Sequence, residues 1–177
     1  VPPPAEPTLE GEVATVFAPH HGLSIPLPDG ARWKVAETER ELVATHVPTG
    51  STLRVRVSRP ITPTSRGACT EDLVARGVVP VLDGAALIER GQLDVPGDFD
   101  TELRTAILPA EPGAPLRGVV VAVGAAPRRC FAYVFSTTAR SERALGARLA
   151  VMTATSLRRV TCESGLAPRI PRESLPR

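Results

Sequence analysis

Leu116-Arg117-Gly118-Val119-Val120-Val121-Ala122-Val123, then Cys130-Phe131-Ala132-Tyr133-Val134-Phe135-Ser136, then a change of rhythm at Ser141 decide the fold of this 177-residue chain. Both runs are built from β-branched and aromatic residues, which fit a pleated surface, and the turn-like Gly124-Ala125-Ala126-Pro127-Arg128-Arg129 stands between them. They predict a central β-hairpin. From Ser141 the apolar spacing changes from about 2 residues to about 3.6, the period of a helix. Leu145, Leu149 and Met152 then form one stripe, Leu157 and Val160 extend it, and Arg143, Arg148 and Arg158 fall among the polar positions. A helix over residues 141–160, packed on the sheet through that stripe, is the expectation.

Outward from this centre, period-2 alternation recurs over residues 12–17 and 23–27, and Trp33-Lys34-Val35 resumes it after the turn Pro28-Asp29-Gly30. Residues 41–47 and 52–57 form a second hairpin through Pro48-Thr49-Gly50, with Leu53, Val55 and Val57 on one face and Arg54 and Arg56 on the other. Residues 86–93 and 99–108 are further strands. Residues 69–76 read as a short helix closed by Gly77, with Glu71 and Asp72 in a first turn where the helix dipole favours acid. Strands in this number with two helices give an α+β domain, an antiparallel sheet flanked by helices, over residues 12–160. Residues 1–11 carry four prolines in an apolar-poor stretch and read as an extended spacer, and residues 161–177 as a proline-rich tail. A spacer of this kind at a chain starting with Val suits a segment between a cleaved signal, or a lipid anchor, and an exported domain.

Composition narrows the classes of function. Hydrophobic residues at 42% and charged residues at 23% are globular proportions. The longest apolar run, residues 118–126, falls far short of the ~18 residues a membrane-spanning helix needs, so the chain is not expected to be transmembrane. Its 21 basic and 19 acidic residues are interspersed and aromatics make up only 3%, which excludes the clustered, base-stacking surface of a nucleic-acid binder. Every basic residue except Lys34 is Arg, Asn is absent and Gln92 is the one Gln, a usage associated with a high-GC bacterial genome.

Cys69, Cys130 and Cys162 are too few for a disulfide scaffold and lack the paired spacing of a zinc site. They allow one bridge, expected in an oxidising compartment. Cys130 opens the best-defined strand and is its expected member, with Cys69 favoured as partner and Cys162 the rival.

Chemistry-bearing clusters are sparse. His20 and His21 are adjacent, so on a strand they point to opposite faces, and His46 stands apart. Asp94, Asp98, Asp100 and Glu102 fit a calcium loop only in part. Cys130 follows Arg128 and Arg129, which would favour a thiolate, but a bridged structural cysteine is the simpler reading. No nucleophile elbow, zinc-protease helix or phosphate loop is present. No catalytic residue, cofactor or metal site is therefore expected. Arg40, Arg54, Arg56 and Arg59 form the candidate interaction surface, a basic strip able to meet an acidic partner.

The opening Phe17-Ala18-Pro19-His20-His21-Gly22-Leu23-Ser24-Ile25-Pro26-Leu27-Pro28-Asp29-Gly30-Ala31-Arg32-Trp33-Lys34-Val35 resembles the first strand, proline and aromatic turn of the superfamily that includes PsbP, Mog-type Ran-binding proteins and DcrB-type bacterial lipoproteins. Phe131-Ala132-Tyr133-Val134-Phe135-Ser136-Thr137 and the helix through Ser156-Leu157-Arg158-Arg159-Val160 resemble its last strand and closing helix. The resemblance implies a PsbP-like α/β/α sandwich used for binding or assembly. The expected function is a non-enzymatic exported envelope protein, periplasmic or anchored at the outer membrane, with a protein or other envelope partner. A cytoplasmic chaperone or adaptor of secreted effectors, and a hydrolase with dispersed catalytic residues, are the alternatives.

Overall fold

A computed structural model describes residue 2 and residues 4–162. Seven strands form one antiparallel sheet in the order β3(Trp33–Glu37), β4(Leu42–His46), β5(Ser51–Ser58), β9(Arg129–Ala139), β8(Leu116–Ala126), β7(Asp100–Leu108), β6(Ala86–Leu93). The central pair β8 and β9 is buried on both faces, which is why its sequence reads as almost continuous apolar residues. Val120, Ala122, Phe131, Tyr133 and Phe135 enter one core, while Val119, Val121, Val123, Ala132 and Val134 enter the other. Both strands outrun their expected lengths, and Ala126 pairs with Arg129. The expected six-residue turn shrinks to Pro127-Arg128, with Arg128 at a φ of 56°.

The first core is covered by α2(Glu142–Val151) and by a separate three-stranded sheet, β1(Ala14–Ala18), β2(Leu23–Leu27) and β10(Thr161–Cys162). Ser141 caps α2 by accepting from Ala144 N. The helical path continues through a π turn at Met152–Ser156 and a 3-10 turn at Leu157–Arg159, so the expected helix over 141–160 is present with a looser last part. Leu145, Leu149 and Met152 are buried as its periodicity requires. Gly118 lets α2 approach, since a Cβ there would stand 2.8 Å from Leu149 Cδ1. The π turn brings Ser156 to Tyr133, whose hydroxyl donates to Ser156 Oγ at 2.8 Å, and burial pushes the phenol far above its usual range.

The second core lies under α1(Arg66–Ala75) and the loop after it. This helix starts three residues before the expected Cys69, because Ser65 caps it by accepting from Ala68 N. Glu71 and Asp72 consequently sit in the middle of α1, and their expected place in the first turn is corrected. Gly77, at a φ of 71°, ends it as expected. Cys69 and Cys130 form a disulfide that fastens α1 to the start of β9, and Cys162 is a free thiol.

Two boundaries need correction. Thr161 and Cys162 pair with β2 and so belong to the domain, whereas residues 163–177 of the expected tail lie outside the described residues. At the other end, the latter half of the expected spacer is docked. Leu9 is 1% exposed within the first core. Glu6 accepts hydrogen bonds from the amides of Arg140 and Ser141 and from Ser141 Oγ, at the start of α2. Pro7 O accepts from Arg148 Nη2 at 2.8 Å. Arg148, read in sequence as a polar surface position, is 3% exposed and also donates to Thr137 Oγ1 and Thr138 O. Burial pushes its guanidinium down from its ordinary range, while the Glu6 charge opposes that shift.

The backbone hydrogen bond from Arg140, with those from Ser141, holds the Glu6 carboxyl below its ordinary value of 4.5. A depressed folded-state value means that Glu6 stabilises the fold above about pH 4.5 and that this contribution is lost as pH falls through the folded value. Wild type should therefore melt above Glu6→Gln at pH 7, and the gap between the two should close as the pH is lowered through the folded value. A gap independent of pH would contradict the assignment.

Candidate functional site

The basic strip expected from sequence is a recess. Strand β5 turns Leu53 and Val55 into the first core, which places Arg54 and Arg56 on the opposite face. α1 crosses that face over β7, β8 and β9, so the outward side of β5 stays open. Arg40 from the β3–β4 turn and Arg76 and Val78 from the end of α1 complete the walls around Arg54, Arg56 and Glu41, enclosing an open groove of about 460 Å³. Arg59 is not part of it. It lies beyond the end of β5 and one residue out of step with Arg54 and Arg56, so the strand's own alternation excludes it, and Arg76 takes the fourth place.

The four guanidiniums are not equivalent. Arg54 grips Glu41 as a fork, Nε to Oε2 and Nη2 to Oε1, both at 2.9 Å. Arg76 Nε donates to Asp72 Oδ1 at 2.9 Å. Arg56 Nε is enclosed and has no acceptor among the described residues. A buried donor without a partner costs about 1–3 kcal/mol, a penalty that a turn of the Arg56 side chain toward an acceptor in the groove would relieve. With Glu41 the one acidic residue lining a wall that holds four arginines, the groove carries an excess of positive charge.

A second recess lies on the other side of the same turn. It measures about 200 Å³, is floored by Val74, Val79, Val121 and Val123, and is rimmed by Thr70, Asp83, Glu102 and Arg104. Burial pushes the Glu102 carboxyl up, but the hydrogen bond from Arg104 and the charges of Arg104, Arg90 and Arg66 outweigh it and hold the group below its ordinary range. Neither Arg76 nor the Val79 pocket was found in sequence. The available signal was the apolar run Val78-Val79-Pro80-Val81-Leu82 between Gly77 and Asp83-Gly84, a hydrophobic loop beside a basic strand.

The other candidate clusters take structural places. His21 is buried, accepting from Val57 N at Nδ1 and lying 3.3 Å from Thr38 O at Nε2, while His20 is exposed, so the two rings share no site. Of the acidic cluster, Asp98 pairs with Arg129, Asp100 with Arg66, and Glu102 with Arg66, Arg90 and Arg104. His46 Nε2 donates to Asp29 Oδ2 at 2.8 Å, and Nδ1 lies 2.8 Å from Thr49 Oγ1, which donates to Ser51 Oγ. This carboxylate, imidazole and hydroxyl have the chemistry of a hydrolytic triad. His46 and Ser51 are nevertheless 0% exposed, and the chain of contacts continues through Thr137 to Arg148, so it serves as an internal brace.

No family model and no curated protein matches the sequence. Solved structures do. The solution structure of cyanobacterial PsbP (CyanoP) from Synechocystis superposes with a TM-score of 0.55 over 82% of this chain and 92% of that one, at 12% identity. The fold is PsbP-like. A crystal structure from Bacteroides thetaiotaomicron gives a TM-score of 0.44 at 13% identity over 80% of this chain, which spans about half (47%) of that protein. At such identity the PsbP-like likeness extends to the sheet and its flanking helices and leaves the side chains of the groove to be read on their own.

Proposed function

We propose that this PsbP-like domain is a non-enzymatic, exported component of a bacterial cell envelope that binds or helps to assemble an anionic partner through the groove of Arg40, Arg54, Arg56 and Arg76. The observation that carries this reading is the Arg56 guanidinium, half-buried among other arginines and left without an acceptor at Nε. The Cys69–Cys130 bridge supports export, because such a bridge persists in oxidising compartments and favours the envelope over a cytoplasmic adaptor role. Anchorage through a lipid upstream of the domain is part of the proposal. Among the described residues no helix is long and apolar enough to cross a membrane.

Binding of fluorescent poly-glutamate to the purified domain tests the groove. Arg40→Glu combined with Arg56→Glu should weaken binding at least tenfold without lowering the melting temperature, and wild-type affinity should fall with added salt. Equal binding by the charge-reversed protein would refute the site. Cell fractionation tests the compartment, with the bridged protein expected in the envelope and three free thiols in cytosolic protein as the contrary result.

A further inference from the structure

We infer that the groove and the Val79 pocket form one bipartite site for an extended acidic peptide segment that carries an apolar anchor residue. The inference rests on the groove reading above and adds the second contact. Val78 lines the groove and Val79 lines the pocket. Consecutive Cα atoms are about 3.8 Å apart, so the two recesses flank one turn, and an extended segment that crosses this turn reaches both.

The size and lining of the pocket indicate its occupant. At about 200 Å³ it lies below the roughly 300–1,000 Å³ typical of small-molecule and cofactor sites. Its floor of four valines provides no group to orient a polar ligand. A single aliphatic side chain suits such a socket, in the way that interface anchors fill well-packed pockets ringed by polar residues. Here the ring is Thr70, Asp83, Glu102 and Arg104. The groove supplies the complementary requirement, since four arginines against Glu41 call for carboxylates and contain no aromatic face on which a nucleic-acid base could stack. A membrane surface is less well matched, because the arginines lie in a recess and Val78, the apolar residue lining it, is only 7% exposed.

The test uses labelled peptides of about eight Glu and Asp residues, with one Leu placed at the first, middle or last position, compared with the same peptides carrying Ala. In at least one register Leu should tighten binding about tenfold, consistent with burial of one aliphatic side chain. Thr70→Trp, which fills the pocket mouth, should abolish that gain while leaving the Ala peptides unaffected. Equal affinity of Leu and Ala peptides in all registers, with both still dependent on Arg40 and Arg56, would overturn the bipartite site and leave the groove reading standing. Absence of binding by every acidic peptide would overturn both. Stronger binding to phosphatidylglycerol vesicles than to any peptide, lost in the Arg40→Glu and Arg56→Glu protein, would overturn the peptide as occupant.

Discussion

Replacing Cys69 and Cys130 together by Ser is expected to lower the unfolding free energy by about 4 kcal/mol. The bridge closes a loop across a sequence separation of 61, and a chain cut free of that constraint gains the corresponding entropy when unfolded. The cost is also local. α1 rests on the sheet through Cys69, Leu73 and the loop residues Val78 and Val79, and the bridge is its covalent fastening to β9. Urea titration of both proteins, analysed at a common slope, measures the difference. A loss under about 1 kcal/mol would mean that the bridge adds nothing beyond packing already present in the reduced chain. Cys162→Ser, which removes the free thiol, should leave the bridge intact and serves as the control.

Leu149→Ala is expected to cost about 2–5 kcal/mol, the range for truncating a fully buried Leu. Leu149 is 2% exposed and closes over Gly118 on the central strand β8. The same contact predicts a coupling. Gly118→Ala alone should destabilise, because its Cβ would crowd both Leu149 Cδ1 and Leu145 Cδ1. In the Leu149→Ala background part of that crowding is gone, so the double variant should be less destabilised than the sum of the two. Additive thermal-melt losses would show that α2 does not seat against Gly118.

The parts of the fold governed by local periodicity were legible in the sequence. β8 and β9 announce themselves because burial on both faces demands β-branched and aromatic side chains, and α2 because Leu145, Leu149 and Met152 keep the helical repeat. The parts set by contacts distant along the chain were not. Nothing near Arg148 shows that it is buried, since its partner Pro7 is 141 residues away. Prolines around Glu6 suggest an extended spacer, yet an extended segment is also the shape that lets Glu6 reach the α2 start while Leu9 enters the core. The start of α1 is hidden by Pro60, Pro63 and Gly67, residues that interrupt helical patterns on both sides of the Ser65 cap. For the candidate site, alternation along β5 discloses Arg54 and Arg56 and excludes Arg59, while Arg76 and Val79 enter only because α1 packs across the sheet, a contact distant along the chain.

The docked segment at residues 6–9 also determines how the molecule carries mechanical load. A pull on the chain from its N-terminal side does not reach β1 first. It is taken up by the Glu6 contacts at the start of α2, then by the Pro7 link to Arg148 and the seated Leu9, and only afterwards by the pairing of β1 with β2. Tension is thereby met first at the helix lying across the first core, whereas the arginine groove lies on the opposite face of the sheet.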